Sequence, residues 1–452
     1  MRGTRREFLG LAVRAIAPLA LMGRNVLRAQ TAADYSIEIA ETEWEIAPKK
    51  TMRVAAYGGH VPGSLLRVKE GQRVAIEIVN RLDRPEIVHW HGLWIPSDVD
   101  GAMEEGSPMC PAGGKVLVKF SAKPSGMHWY HTHTPAGRDL KRGMYSGQFG
   151  VLYVEPRENA GAYDREEFVV LHEWEPYFTA TDDGAQEVAY RYGSVNGKML
   201  GAGEPIRVKT GERLLMHVLN ASATVTHWVV LAGHSFEVVA LDGRPVPTQA
   251  KVSALRLGPA ERVSAIVEMN APGVWVMGEA DAKLRGAGMG VVVEYANQTG
   301  AAKWVEPSSL AWDYAAFGDS SVREDVKPDV TIPMVFTSKF QGHGALNKWM
   351  INGKSFPEQQ SGLVFQQGKR NRLIFDNRST DDHPVHLHRH VYELKFINSV
   401  ATSGVFKDTM IVKAGTRVEV DMVANNPGPT LFHCHQQDHM DLGFMALFQY
   451  GS

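Results

Sequence analysis

A short sequence motif occurs three times along this chain and limits the folds that the chain can adopt. The letters RVKEGQR at residues 67–73 return as RVKTGER at residues 207–213 and, more loosely, as FQQGKR at residues 365–370. Each copy leads into an apolar run that ends on an asparagine, at Asn80, Asn220 and Asn377. Because self-similarity at wide spacing is typical of repeated structural units, the chain is predicted to contain three related units.

The segments between these repeated motifs have the pattern of short β-strands. Residues 74–78 alternate in polarity, and similar segments are bounded by Gly, Pro and Asn, which favours strands over helices. We therefore predict an all-β protein of three tandem β-sandwich domains. The predicted domain limits are residues 34–157, 158–298 and 299–452. Little helix is expected outside residues 309–317, in a linker between the second and third units.

Composition excludes several classes of protein. The chain has 452 residues, of which 44% are hydrophobic and 22% charged, values that are typical of soluble globular proteins. The formal net charge is −2 and no long run of like charge occurs, so a nucleic-acid partner is not predicted. Two cysteines, Cys110 and Cys434, are too few for a disulfide framework. In contrast, the chain contains 18 histidines.

The N-terminus has the pattern of an export signal. Residues 4–9 read TRREFL, a twin-arginine pattern, and an apolar stretch and the small residues Ala29 and Ala33 follow. The alternative, a buried N-terminal helix, is disfavoured because Arg14 and Pro18 interrupt the stretch. We predict that residues 1–33 are a twin-arginine signal, which engages the twin-arginine translocase and directs the protein to the periplasm or the exterior. No membrane anchor is expected.

Histidines occur as His-x-His pairs at matching places in units one and three. The first pair of each unit begins nine residues after Asn80 or Asn377, and the second begins five residues after Gly126 or Gly428. The four pairs are His89 and His91, His131 and His133, His386 and His388, and His433 and His435. The corresponding places in unit two hold residues 229–231 and 278–280, which contain no histidine.

From strand geometry, these pairs are predicted to form a metal cluster. Residues i and i+2 of a strand point to the same face, so each pair presents two imidazoles together. One such pair could belong to an ordinary solvated strand, but four pairs in register with an internal repeat favour a common site. We expect eight imidazoles to converge at one interface of units one and three.

The same parity separates a second site from the cluster. Cys434 lies between His433 and His435 and points the other way, and His383 has opposite parity to His386. With His439, five residues after Cys434, these residues supply two imidazoles and one thiolate. That donor set is typical of blue copper, whereas zinc would more often use additional cysteines or keep an open water position.

Four motifs together resemble those of the multicopper oxidases, the laccase-like family, over nearly the whole mature length. They are HWHG at residues 89–92, HWYHTH at 128–133, HPVHLH at 383–388 and HCHQQDH at 433–439. The resemblance implies three cupredoxin-like Greek-key domains and four copper ions. It implies a type 1 copper bound by His383, Cys434 and His439, and a type 2 copper bound by His89 and His386. It implies a type 3 pair bound by His91, His131, His133, His388, His433 and His435.

The resemblance also implies an activity. One-electron donors would be oxidised at the type 1 copper, and dioxygen would be reduced to water at the trinuclear cluster. Cys434 would connect the two sites through its neighbours His433 and His435. Asp100 matches the acidic residue that the family places near the cluster, where it would tune the site and relay protons. From sequence alone, a turn-forming Asp before Gly is the alternative interpretation.

Two departures from the family pattern have predicted consequences. Met440 stands where many bacterial members have Glu, so the family's usual second proton donor is not expected at this position. Asp438 is the nearby acidic residue, but it precedes His439 instead of following it. Phe444 stands ten residues beyond Cys434, where many bacterial members have an axial Met. We therefore expect a three-coordinate type 1 copper of relatively high potential.

The electron donor is the least constrained prediction. No Met-rich insertion is present, which favours phenols and aromatic amines over metal ions. A periplasmic oxidase of Cu(I) or Fe(II) is the first alternative. A copper-free scaffold of the same fold is the second, and it is disfavoured because all eleven candidate ligands are present. The other histidines are not predicted to be ligands, and Cys110 is expected to be a buried apolar residue.

Overall fold

The structure, a computed structural model, describes residues 33–157, 163–319, 326–358 and 363–451. The predicted export signal, apart from Ala33, therefore lies outside the described residues. Within these ranges no helix is both long and apolar enough to cross a membrane.

The first unit consists of eight strands in two four-stranded sheets. They are β1 (Tyr35–Ala47), β2 (Lys50–Tyr57), β3 (Gly63–Lys69), β4 (Arg73–Asn80), β5 (Val88–His91), β6 (Lys115–Ser121), β7 (Gly126–Thr132) and β8 (Phe149–Glu155). The sheet orders are β2-β1-β4-β6 and β3-β8-β7-β5. Apolar residues of both sheets, such as Ile76 and Val154, share one buried core, which makes the unit a β-sandwich.

The second unit forms twelve strands in the part of it that the structure describes, from residue 163 onward. They are β9 (Arg165–Ala180), β10 (Gln186–Val195), β11 (Ile206–Val208), β12 (Arg213–Asn220), β13 (His227–Leu231), β14 (Phe236–Leu241), β15 (Arg244–Pro245), β16 (Lys251–Val252), β17 (Leu255–Leu257), β18 (Arg262–Glu268), β19 (Val274–Glu279) and β20 (Gly290–Tyr295). The sheet orders are β10-β9-β12-β18-β14-β15, with β16 on β14, and β11-β20-β19-β13-β17.

The described residues of the third unit, which exclude 320–325, 359–362 and 452, form twelve strands. They are β21 (Val330–Lys339), β22 (Lys348–Ile351), β23 (Val364–Gln366), β24 (Arg370–Asn377), β25 (His383–Leu387), β26 (Tyr392–Ile397), β27 (Val400–Ala401), β28 (Phe406–Lys407), β29 (Thr409–Val412), β30 (Arg417–Val423), β31 (Thr430–Cys434) and β32 (Met445–Gly451). Its sheet orders are those of unit two with every label raised by twelve. The predicted threefold repeat of all-β sandwiches is confirmed, while the domain limits stay predictions.

Helices are few among the described residues, as the low helical content predicted from the sequence requires. The α-helices described are α1 (Ala282–Gly286) and α2 (Gln437–Asp441). The 3-10 helices are Ser97–Val99, Met103–Glu105, Gly143–Tyr145 and Tyr314–Phe317. The helix expected over residues 309–317 is thus reduced to one 3-10 turn. Asp313 accepts a hydrogen bond from the backbone N–H of Ala315 at 2.9 Å, so this turn begins only after Asp313.

The repeated asparagine has the same structural task in each unit. Asn80, Asn220 and Asn377 end β4, β12 and β24, and each donates its side-chain N–H groups to carbonyl oxygens of the loop that follows and of a more distant strand or loop. In each unit that loop leads into β5, β13 or β25. The anchored loops therefore fix where the three equivalent strands begin, and two of these strands carry His-x-His pairs.

Candidate metal centre

The four His-x-His pairs lie on adjacent strands of units one and three. In unit one His89 of β5 is paired with His131 of β7, and in unit three His386 of β25 is paired with His433 of β31. Antiparallel partners project to the same face of a sheet, so each unit presents four rings together. All eight rings are buried.

The eight rings form three groups whose candidate ligand atoms lie within 4.8 Å of one another. The groups are His89, His91 and His386; His91, His131 and His435; and His133, His388 and His433. Every group draws on both units. The structure thus brings together, at one interface between units one and three, the eight histidines predicted for the type 2 and type 3 coppers, and His91 lies both with His89 and His386 and with His131 and His435. Their division among the coppers stays a prediction.

Ring nitrogens that face the cluster have the character of metal ligands. Among the described residues, five of these buried atoms have no hydrogen-bond partner: Nε2 of His89, His131, His386 and His435, and Nδ1 of His91. Most opposite nitrogens are engaged; Nδ1 of His89 donates to the carbonyl oxygen of Asp100 at 2.9 Å, and Nδ1 of His131 to that of Thr132 at 2.8 Å. Such outer bonds fix the tautomer and leave the inner nitrogen unprotonated.

The electrostatics of the cluster also fit a bound cation. Burial, together with the neighbouring rings, lowers the pKa of His133 to about 3 and holds the pKa of His131 and His435 well below its usual value. These three rings are therefore neutral at physiological pH. Neutral imidazole is the form that binds metal, so the donor set fits copper.

The predicted type 1 ligands form a separate group. Cys434 Sγ lies 3.6 Å from Nδ1 of His383 and 3.6 Å from Nδ1 of His439, and the two ring nitrogens are 3.1 Å apart. His383 begins β25, Cys434 ends β31 and His439 lies in α2. Burial raises the pKa of the Cys434 thiol well above its usual value, so a bound cation is what would favour the thiolate here. Two imidazoles and one sulfur suit a blue copper site.

Comparison with known proteins decides the family. Models described as multicopper oxidase match residues 38–159, 178–297 and 326–452. The chain belongs to the multicopper oxidases. It is therefore a copper-dependent oxidoreductase, and the family binds four coppers.

Individual relatives agree with this assignment. The multicopper oxidase MmcO of Mycobacterium tuberculosis is 29% identical over 436 residues, which cover 87% of this chain and 82% of MmcO. The fold is similar to that of Fet3p, a multicopper oxidase described as functioning in iron import, with TM-score 0.78, 17% identity and coverage of 92% and 90%. It is also similar to a laccase from Botrytis aclada, with TM-score 0.73, 18% identity and coverage of 92% and 87%. The predicted cupredoxin-like fold is confirmed.

Asp100 of this multicopper oxidase lies where the resemblance predicted. Its Oδ2 is 2.8 Å from Nδ1 of His388 and 3.1 Å from Nδ1 of His89. Its side chain is fully buried, and among the described residues its Oδ1 has no hydrogen-bond partner. One carboxylate therefore contacts candidate ligands of both units, and it also lies within hydrogen-bond reach of the Glu105 carboxyl group. Its role in proton transfer stays a prediction.

Sequence reasoning missed other polar residues behind the cluster. Asp408 Oδ1 lies 3.0 Å from Nε2 of His91. Glu105 Oε1 lies 3.5 Å from Nδ1 of His388, and burial and Asp100 raise the pKa of Glu105. The only signal for Asp408 is its position, since it is a charged residue directly before the apolar strand β29.

Two aromatic residues flank the type 1 group. The buried Phe444 ring lies 4.5 Å, centroid to centroid, from the ring of His383. Trp349, which sequence reasoning did not single out, lies 3.9 Å from the ring of His439 by the same measure. The coordination number and potential of the copper stay predictions.

Unit two has a polar site in place of the type 1 group. Val229 of β13 pairs with Glu279 of β19 just as Val385 pairs with Cys434. His227 contacts Ser222 at 3.0 Å, as His383 contacts Ser379 at 2.8 Å. Glu279 thus corresponds to Cys434, as the sequence predicted.

The equivalence of Val229 with His386 was, however, wrong by one residue. Val230 occupies that place. The segment from Asn220 to His227 is one residue longer than the segment from Asn377 to His383.

His227 is held by two carboxylates. Its Nδ1 lies 2.6 Å from Glu279 Oε2, and its Nε2 bonds to Glu173. Burial opposes charging of the ring, but Glu173 and Glu279 outweigh it and raise the pKa of His227 to about 10. At neutral pH the position equivalent to the type 1 site therefore holds an imidazolium between two acids.

The remaining histidines that were not predicted as ligands have ordinary partners. His128 bonds to the carbonyl oxygen of Pro124 at 2.9 Å, and His390 bonds to Tyr450. Neither belongs to any of the metal-binding groups found among the described residues. Cys110 is buried and unpaired, in agreement with its predicted apolar role.

Proposed function

We propose that this chain is a laccase-like oxidase that accepts electrons from small phenols or aromatic amines beside His439. The observation that carries the proposal is a pocket of about 310 Å³ whose wall includes His439. Electron entry at a type 1 site needs a donor close to one of its ligands, and this pocket supplies that approach.

The pocket has the chemistry of an aromatic binding site. Val188, Val225, Leu346 and Trp349 give it apolar walls, and no Lys or Arg occurs among the described residues that line it. Its carboxylates are Glu187, Asp381, Asp382 and Asp438. Most of the other residues that line the pocket are polar. The apolar side chains can pack against an aromatic ring, and carboxylates accept hydrogen bonds from phenol O–H and amine N–H groups. Neutral and cationic donors are favoured over anions.

The chemistry needs one-electron oxidation of four donor molecules for each dioxygen reduced with four protons to two waters. Bound copper supplies the electron transfer and the reaction with dioxygen. Cys434, the proposed thiolate ligand of the type 1 copper, lies in the sequence between His433 and His435 of the cluster, so covalent bonds connect the two sites. Asp100 contacts the rings of His89 and His388 and would relay protons to the cluster.

A metal ion is the second candidate donor, and one observation favours it. Asp438 is 8% exposed and lines the pocket, and its Oδ1 has no partner among the described residues. An unpaired carboxylate oxygen next to Asp381 would suit Fe(II) or Cu(I). Fet3p and the laccase from Botrytis aclada share this fold, so the fold leaves both donor classes open.

Steady-state oxygen uptake separates the two candidates. We would measure kcat/KM of the copper-loaded protein for 2,6-dimethoxyphenol, an aromatic amine, Fe(II) and Cu(I), and repeat it with Asp438→Asn. An aromatic-donor oxidase should turn over the phenol and amine best, and the variant should change their kcat/KM less than tenfold.

A metal-ion oxidase should instead prefer Fe(II) or Cu(I), and Asp438→Asn should raise the KM for that ion by tenfold or more. Asp83→Asn is the matched control, because its side chain is 95% exposed and does not line the pocket. Absence of copper and of oxygen uptake after loading would contradict both candidates and favour a copper-free scaffold.

We also propose that residues 1–33 direct export to the periplasm or the exterior through the twin-arginine translocase. The supporting observation is the pair Arg5 and Arg6 followed by an apolar stretch. Replacing both with Lys should retain the protein in the cytoplasm. N-terminal sequencing of exported protein should show a start after Ala29 or Ala33.

A further inference from the structure

A buried network of charges lies behind the ring of His91 and joins all three units. His91 of unit one bonds through Nε2 to Asp408 Oδ1 and to Thr409 Oγ1 of unit three, both at 3.0 Å. Asp408 also accepts a hydrogen bond at its backbone carbonyl from Nδ1 of His386, at 2.8 Å. Asp408 and Thr409 therefore orient two candidate ligands, one from each ligand-bearing unit.

Asp408 is itself held by unit two. Arg262, at the start of β18, bonds to it in a bidentate way, with Nη1 to Oδ1 at 2.7 Å and Nη2 to Oδ2 at 2.6 Å. Both side chains are fully buried. Bidentate Arg–carboxylate pairs fix direction as well as distance, so Arg262 sets the orientation of the carboxylate that His91 contacts.

Unit two also holds the backbone of the same segment. Asp242 Oδ2 accepts hydrogen bonds from the N–H groups of Asp408 at 3.3 Å and Thr409 at 3.1 Å, and it pairs with Lys407 at 3.0 Å. Residues 408–409, which orient His91 and His386, are thus hydrogen-bonded through side chain and backbone to unit two. Unit two itself supplies no candidate ligand.

The glycine of the HWHG motif shows how closely the units fit here. Gly92 has φ +85°, and a Cβ atom at this position would lie 2.7 Å from Asp408 Oδ2 and 2.8 Å from Arg262 Nη2. Only a residue without a side chain lets β5 approach the ion pair this closely. The network is therefore built into the packing of the cluster.

We propose that Arg262 is a positioning residue of the trinuclear copper site, through which unit two fixes the rings of His91 and His386. His91 directs Nε2 to Asp408 and Nδ1 into the cluster, whereas His89, His131, His386 and His435 direct Nε2 inward. Its ring orientation thus depends on the carboxylate that Arg262 holds. This inference rests on the proposed ligand set.

The test is copper content and spectroscopy of Arg262→Gln. We expect the blue band to remain, because the type 1 group lies apart, and the cluster copper to fall by half or more. We also expect a changed electron paramagnetic resonance signal of the remaining type 2 copper. Arg262→Lys, which keeps the charge but not the bidentate geometry, should fold more readily and give a smaller change in the same direction.

Arg372→Gln is the matched control. Arg372 is also buried and bonds to Asp421 through two nitrogens, at 2.7 and 3.1 Å, but it lies in the sheet of unit three. Its loss should lower the free energy of unfolding without changing the type 2 signal. An unchanged cluster signal and full copper content in Arg262→Lys or Arg262→Gln would overturn the inference.

The same measurements on the unmutated protein distinguish a failure of this inference from a failure of the proposed function. A parent without a blue band or with no cluster copper would contradict the proposed function itself. A normal parent with normal Arg262 variants would contradict only the role of Arg262.

Discussion

Units two and three place different chemistry at one position of the same fold. Strands β25 and β31 carry His383 and Cys434, and their equivalents β13 and β19 carry His227 and Glu279. In both units the histidine is bonded to a serine two residues after the repeated asparagine. The strand framework is therefore shared, whereas the side chains around the imidazole differ.

The two units balance charge in a buried site in different ways. In unit three, two imidazoles and a thiol form a group that suits a copper ion. In unit two the imidazole itself carries the positive charge, because Glu173 and Glu279 bond to its two nitrogens. Fold alone thus does not assign function; a change from Cys to Glu, with a second acid from β9, replaces a metal site with an ion triad.

The largest expected effect comes from removing the thiol of unit three. Cys434→Ser should abolish the blue band and lower donor oxidation to background, because no other thiol lies near His383 and His439 among the described residues. Visible spectroscopy and oxygen uptake would measure both. Cys110→Ser is the control and should keep both signals; loss of the blue band in this control instead would contradict the assignment.

The next effect concerns stability of unit two. Glu279→Gln should lower the free energy of unfolding by about 3–5 kcal/mol, because it removes one partner of a buried ion pair, while copper content and the blue band stay unchanged. Chemical denaturation would measure it.

The control for that change is Glu41→Gln, which removes an exposed ion pair with Arg53 and should cost no more than ~1 kcal/mol. Equal losses of unfolding free energy in Glu279→Gln and Glu41→Gln would show that the buried triad stabilises the protein no more than an exposed ion pair does.

The triad also predicts a pH dependence of stability. The pKa of His227 is about 10 in the folded protein and about 6.5 for an unperturbed histidine. Because the folded pKa is the higher one, its contribution is fully present below pH 6.5 and is lost as the pH rises through about 10. The stability difference between the parent and Glu279→Gln should shrink over this range. A difference that grows toward alkaline pH would refute a charged His227.

The smallest expected effect concerns the axial position in unit three. Phe444→Met should lower the redox potential of the type 1 copper, because a thioether donor stabilises Cu(II). Redox titration of the blue band would measure the shift. Phe448→Met, a buried phenylalanine that stacks on Phe365, should leave the potential unchanged. An equal or higher potential in Phe444→Met would contradict a three-coordinate site.

Local patterns in the sequence were sufficient to predict the fold and the candidate ligands. Strand alternation alone placed Cys434 and His433 on opposite faces, and the repeat placed four histidine pairs in register. Contacts across units could not be predicted in this way. His91 and Asp408 are 317 residues apart, and Arg262 and Asp408 are 146 residues apart, so no local period connects them.

Loop length was the other limit of sequence reasoning. One extra residue between Asn220 and His227 shifted the predicted equivalence in unit two by one position, from Val230 to Val229. The correspondence of His227 with His383, which the serine contacts show, was missed for the same reason. Once the strand pairing is known, the correspondence follows directly from the shared serine contacts.

The assignment of the copper sites is tested most directly by the copper content and visible spectrum of the loaded protein, measured beside those of Cys434→Ser and Glu279→Gln. We expect four coppers per chain, the number that the family binds, with a blue band in the parent and in Glu279→Gln. We expect Cys434→Ser to lose one copper and the blue band. A blue band that survives in Cys434→Ser, or that disappears in Glu279→Gln while the protein stays folded, would contradict the assignment.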